Sequence, residues 1–219
     1  LILKMRYVIE SSLSTDTPIM LINTHIGQPP GEEMGVDGAV FQSELLHLDN
    51  MGFKAIKVYI NSPGGVVSDG YNIVSAILKS ETPVDTYNVG MCASIAGAIF
   101  MAGRKRVMAD YANLMMHPPG NSDDKKALGA TKESIVTMLS SKAGIPSAEV
   151  DYLMDRTTWL NAAECYEKGF CTDIEVSSAS NRKRMPVLNS TDAKTWKKSW
   201  KAANEILNSI FKTEKTFNM

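Results

Sequence analysis

Little in this chain invites a metal, a membrane or a polyanion. Its three cysteines, Cys92, Cys165 and Cys171, are an odd number with no Cys-x-x-Cys spacing, too few for a disulfide framework. With three scattered histidines they make no recognisable metal site, so neither metal nor cofactor is expected. Lys and Arg number 23 against 24 Asp and Glu, and a net charge of −1 leaves no footprint for nucleic acid or an anionic membrane. The local basic runs, Asn181-Arg182-Lys183-Arg184 and Lys194 to Lys201, read as solvated surface. No apolar run approaches the ~18 residues of a membrane span, and no basic-then-apolar leader opens the chain. Internal repeats and low-complexity tracts are absent as well. A soluble protein of a reducing, cytoplasmic compartment, carrying buried free thiols, is the expectation.

What is present suits a globule. The 219 residues are 44% apolar and 21% charged, enough to bury about 70% of the unfolded surface in one domain with an appendage. Arg6 to Ser11, Pro18 to Ile26, Ala55 to Asn61, Val84 to Val89, Lys105 to Met108 and Asn113 to Met116 read as strands. Between them lie helical patterns. One is capped by Asp37 and carries Val40, Phe41, Leu45, Leu46 and Leu48; another is Val66 to Lys79; a third is the small-residue run Ala93 to Met101. Repeated strand-then-helix crossovers predict an α/β fold, a mainly parallel sheet flanked by helices.

Beyond His117 the texture changes. Asn121 to Lys126 is polar, Thr131 to Ala143 and Ser147 to Met154 are helical, Thr158-Trp159-Leu160 is extended, and Asn161 to Gly169 is a capped helix. Trp196, Trp200, Ala203, Leu207 and Ile210 recur at steps of three and four, predicting an amphipathic C-terminal helix. The expected division is a domain over 1–176, then a linker and helical extension over 177–219.

In such sheets, sites gather at the carboxyl ends of strands. Three elements fall there: the turn Asn61-Ser62-Pro63-Gly64-Gly65, Ser94 within Gly90 to Gly97, and His117 in Met115-Met116-His117-Pro118. Taken singly each has a plain structural role. Ser94 could merely cap a helix, His117 could pack at a strand end, and Gly64-Gly65 could be a tight turn. Together they supply a hydroxyl, a base that titrates near neutrality and free backbone N–H groups, the parts of acyl transfer on an amide. His25 and His47 have no nucleophile motif nearby.

The ordered set resembles the Clp-type proteolytic subunits, a family of ring-forming serine peptidases. The likeness runs from about Ala55 to Ile174 and includes Trp159-Leu160-Asn161-Ala162-Ala163-Glu164 and Gly169-Phe170. It implies the spiral ββα fold shared with crotonases, Ser94 as nucleophile, His117 as general base, and an oxyanion hole of the Gly65 and Ile95 N–H groups. It also implies a protein or peptide substrate and a homo-oligomeric ring, commonly of seven. The family places an acid where this chain has Thr157. Asp155 is the preferred substitute; Asp173, or a dyad with Thr157 or water as orienter, are the alternatives. A shortened segment between His117 and Trp159 and the Gly169-Phe170 ending look more like the Clp-like peptidases of tailed phages and prophages, which process capsid or scaffold proteins. The competing expectations are a subunit fed by an ATP-dependent unfoldase and a catalytically silent assembly subunit.

Overall fold

The computed structural model describes residues 5–28, 33–120 and 122–177. The helix expected over Trp196 to Ile210 lies outside the described residues. Seven strands form one sheet: β1 (Ile19–Ile22), β2 (Ile56–Ser62), β3 (Val84–Ala93), β4 (Arg106–Ala109), β5 (Asn113–Met116), β6 (Thr158–Asn161) and β7 (Asp173–Glu175). The path β1-β2-β3-β4-β7 is parallel throughout, and only β6, on β5, runs antiparallel. Helices α1 (Gly38–Asp49), α2 (Val67–Lys79), α3 (Ile95–Ala102), α4 (Lys125–Ala143), α5 (Ser147–Asp155) and α6 (Ala162–Glu167) complete the described body. The mainly parallel, helix-flanked sheet is the one that the alternating pattern implies.

β-branched alternation explains the core. Ile56, Val58 and Ile60 of β2 turn one way and are fully buried, meeting Phe41 and Leu45 of α1 and Ile73 of α2. Lys57 and Tyr59 turn the other way and stay half-buried. Asp37 caps α1 by accepting from the Ala39 and Val40 N–H groups, both at 3.0 Å, worth about 1 kcal/mol. The Asp69 carboxylate of α2 takes the Gly38 N–H at 2.9 Å, so the two helices start in register.

β3 forks. Thr86 to Asn88 pair with β4, whereas Met91 to Ala93 pair with β5. Two asparagines hold the fork. Asn88 Nδ2 donates to the Asn113 carbonyl at 2.9 Å, and the Met91 N–H donates to Asn61 Oδ1 at 3.1 Å. The fork carries the second half of β3 and all of β5 to one carboxyl edge.

Differences from the sequence reading are local. Arg6 to Ser11 is no strand: Val8 alone bridges Met20, and Glu10–Ser14 is a 3₁₀ turn. The Ser12 hydroxyl donates to the Ile9 carbonyl and accepts from the Ile19 N–H, hydroxyl chemistry that competes with a ladder. β1 stops at Ile22 rather than Ile26, and α4 starts at Lys125, six residues before Thr131, because Asp124 caps it. β7 was not legible, being three residues with two acids, ordered by its pairing with β4. The capped helix at Asn161 carries a full capping box with Glu164. All three cysteines are buried free thiols, and burial pushes the Cys171 thiol up to about 11. No helix among the described residues is long and apolar enough to cross a membrane.

Candidate active site

Parallel pairing of β3 with β5 decides which side chains meet. Ala93 lies opposite Met115, and the Ser94 N–H donates to the Met115 carbonyl at 2.9 Å. Ser94 and His117 therefore emerge side by side where the two strands end, and His117 Nε2 stands 2.8 Å from Ser94 Oγ. They stand twenty-three positions apart in the chain, but only one strand spacing separates their backbones.

Ser94 occupies the N-cap position of α3 yet its side chain makes no capping bond; the hydroxyl turns to His117 instead. Its backbone is φ 56, ψ −128, a conformation that costs an L-residue on the order of 1–3 kcal/mol. A sharp strand-to-helix turn of this kind lifts a serine hydroxyl clear of the sheet.

The Gly64-Gly65 turn packs directly on this residue. A Cβ built on Gly64 (φ 94) would lie 2.6 Å from the Ala93 carbonyl oxygen and 2.7 Å from Ser94 Cβ. One on Gly65 (φ 147) would lie 2.1 Å from the Ile26 carbonyl oxygen. The Ile26 N–H donates to the Gly64 carbonyl and the Val66 N–H to the Ile26 carbonyl, both at 2.8 Å. A parallel bridge of that pattern leaves the Gly65 N–H facing away from Ile26. Ile95 opens α3, where an N–H has no intrahelical acceptor. Two backbone donors thus border the serine, one from each segment.

His117 is more than half buried, and that burial alone lowers its pKa from the ordinary value. No carboxylate among the described residues hydrogen-bonds its ring. The preferred third residue, Asp155, is turned elsewhere: its Oδ1 pairs with Lys132 Nζ at 2.7 Å, as does Asp151. Asp155 ends α5 and is half exposed, so the structure does not bring it to His117. Asp173 sits on β7, the far edge of the sheet, bonded to Thr172. Thr157 comes just before Thr158, the partner of Met116, as His117 comes just after Met116. It is held at φ 50 in a turn closed by its own N–H to the Met154 carbonyl at 3.0 Å, an outlier for a β-branched residue. His25 and His47 lie elsewhere: the His25 ring bonds the Glu33 carbonyl at 2.8 Å, and His47 is in the last turn of α1.

Sequence reasoning missed the fork asparagines, whose signal was only an Asn ahead of Ser-Pro-Gly-Gly. It also missed how α4 is fastened. Lys142 Nζ reaches the Ala102 carbonyl at 2.9 Å, at the C-terminus of α3. Arg106 donates to the carbonyls of Phe170 at 3.1 Å and of Lys142 and Gly169 at 3.2 Å. Buried Arg106 and half-buried Lys142, neither in an ion pair among the described residues, are tolerated because they meet carbonyls at or just beyond helix C-termini, where the dipole is negative.

Comparison with known proteins adds relatives to this geometry. Residues 32–178 match the family model described as Clp protease. The chain is 33% identical over 147 residues to the ATP-dependent Clp protease proteolytic subunit of Porphyromonas gingivalis, covering 62% of this chain and 66% of that one. It is 30% identical over 145 residues to proteolytic subunit 1 of Salinibacter ruber, where it spans 62% of the relative's length. Against the subunit of Streptococcus salivarius, identity is 32% over 182 residues, 77% of this chain and 89% of that one. A solved ClpP1 variant from Listeria monocytogenes shares the fold, with a TM-score of 0.65 and 24% identity over 72% of this chain and 91% of that one.

Proposed function

The chain belongs to the Clp protease family, and from that premise we propose that it is a serine endopeptidase working through a Ser94–His117 dyad. The observation that carries the reading is the 2.8 Å contact between Ser94 Oγ and His117 Nε2. A neutral imidazole at that distance can take the hydroxyl proton as Oγ attacks a peptide carbonyl. The carbonyl oxygen, now negative, is received by the Gly65 and Ile95 N–H groups, each such donor being worth about 10²–10³ in turnover. Protonated His117 then gives its proton to the leaving amine, and water releases the acyl group by the same steps in reverse. Burial without a carboxylate favours the neutral, proton-accepting ring but leaves the imidazolium without a counter-charge. A functional but slow base is the consequence.

Ser94→Ala tests the reading. Peptide hydrolysis should fall by about 10⁴-fold or more and fluorophosphonate labelling should vanish, with fold and assembly unchanged. Labelling that persists in this variant would remove the proposed nucleophile; a wild-type protein that never labels would be a silent assembly subunit.

Two finer readings follow. We assign the chain to the phage and prophage branch, acting on capsid or scaffold proteins as a homo-oligomeric ring, with a domain over 1–176 and an extension over 177–219. The short passage from His117 to β6, filled by α4 and α5, supports this. The relatives' names, which speak of ATP-dependent proteases, favour the alternative of an unfoldase-fed subunit. Cleavage of a cognate scaffold protein without ATP would decide for the first, and degradation only with an unfoldase and ATP for the second.

A further inference from the structure

The ladder between β2 and β3 breaks just before the site. Ile60 lies opposite Asn88 and Ser62 opposite Cys92, so a step of two residues on β2 is matched by four on β3. The extra length of β3 is a bulge over Val89 to Met91. At the same place β3 exchanges one partner for another: Asn88 is its last residue on β4, and Met91 its first on β5. A bulge re-aims the strand and leaves backbone N–H groups outside the ladder, and such donors need acceptors elsewhere.

Two side-chain amides take them. The Gly90 N–H donates to Asn88 Oδ1 at 3.2 Å, and the Met91 N–H donates to Asn61 Oδ1 at 3.1 Å. Asn88 is fully buried, and its other end is used as well, Nδ2 donating to the Asn113 carbonyl at 2.9 Å. Gly90 completes the fit, because a Cβ there would lie 2.6 Å from Asn61 Oδ1. A valine would suit a buried strand better than asparagine does. A buried amide satisfied at both ends instead specifies one arrangement of its neighbours.

These bonds join the three strands on which the chemistry stands. Asn61 ties β2, which leads into the Gly64-Gly65 turn, to β3, which leads into Ser94. Asn88 ties β3 to β5, which leads into His117. We propose that both asparagines are positioning residues: Asn61 sets the backbone donors against the nucleophile, and Asn88 sets the nucleophile against the base. The inference rests on the acyl-transfer reading and adds what holds that site in register. A slip of one residue moves a strand by about 3.3 Å and turns its side chains to the opposite face. The 2.8 Å contact of Ser94 with His117 does not survive that. Smaller errors also count, since a misplacement of about 1 Å can cost about 10²-fold in rate.

The test compares Asn88→Val and Asn61→Ala with the wild type, on the full chain. In hydrolysis of a fluorogenic peptide each should lower kcat by about 10–100-fold and leave KM within about 3-fold. Fluorophosphonate labelling should slow in parallel. Asn61→Asp, which keeps the acceptor for Met91, should recover most of the loss. Gly90→Ala should repeat the loss, and combined with Asn61→Ala should be no worse than Asn61→Ala alone, because both remove one bond. Should Asn88→Val not fold, Asn88→Thr, whose single hydroxyl cannot serve both Gly90 and Asn113, should show the same defect. NMR signals of the His117 ring give a readout free of turnover. In Asn88→Val they should move towards their positions in Ser94→Ala, while Asn61→Asp leaves them in place. An active wild type matched in kcat by folded Asn88→Val and Asn61→Ala overturns the positioning role alone, as does a loss confined to KM. Ring signals that follow the expected pattern beside a wild type that hydrolyses nothing uphold the positioning role of Asn88 and overturn the peptidase.

Discussion

Replacing Thr157 by aspartate should turn the dyad into a triad. Thr157 directly precedes β6 and the partner of Met116, and its φ of 50 is a conformation that aspartate tolerates better than a β-branched residue. The substitution therefore supplies a carboxylate without deepening backbone strain. Two unit charges about 4 Å apart attract by roughly 1 kcal/mol in water and roughly 4 kcal/mol near a protein surface. A half-buried ring falls between these limits. Stabilising the imidazolium by about 1.4–2.8 kcal/mol would raise kcat by about 10–100-fold, less than the ~10⁴ at stake in serine proteases that already have the acid. The sign of the pH effect follows. In the wild type, burial lowers the His117 pKa below its usual value, so activity persists on the acid side of neutrality until that lowered value is reached. In Thr157→Asp the carboxylate raises it, and the acid limb of kcat/KM moves to higher pH. Peptide hydrolysis from about pH 5 to pH 9 reads both, and an NMR titration of the ring reads the pKa directly. Thr157→Asn is the control that keeps the turn and omits the charge. An aspartate variant whose acid limb and ring titration match those of the asparagine variant would refute the reasoning.

Three further outcomes are expected. Asp155→Asn should leave kcat within about 3-fold, because its carboxylate serves Lys132; the stability loss should stay under about 1 kcal/mol, as for half-exposed ion pairs, and a fall of 100-fold in peptide turnover would place Asp155 in the reaction after all. Gly64→Ala should lower kcat/KM by about 10²-fold or more, since its methyl would sit 2.7 Å from Ser94 Cβ and displace the donors around the oxyanion; wild-type turnover in a folded Gly64→Ala protein contradicts this. Because Ser94 sits at φ 56, Ser94→Gly should be more stable than Ser94→Ala by about 1 kcal/mol, the reverse of the usual order in a helix or strand, as thermal unfolding of the two inactive variants would show. The lowered His117 pKa also makes the unfolded chain the better proton acceptor below pH 6.5, so stability should be lost as pH falls from there towards the native value.

The sequence by itself determined the layers and the edge on which chemistry gathers. Alternating β-branched runs such as Ile56 to Ile60 can bury only one face each, and the helical spacing of Val66 to Lys79 supplies the cover. Glycines at 64 and 65 announced a backbone that no Cβ permits. Periodicity did not tell that β3 forks, since a fork is a choice between two partners, β4 and β5, held by Asn88 within the strand and by Asn61 of β2. Nor did spacing reveal that Asp155 faces Lys132: a carboxylate two residues from a motif position points wherever the helix end turns it, and here a lysine of α4 was within reach. An apolar recess beside Ser94 is walled by α2, α3, α4, α5 and β5, segments whose meeting is fixed by packing alone. Residue types limit which reactions are open to a chain, while the angle at which strands and helices meet decides which of those residues ever touch.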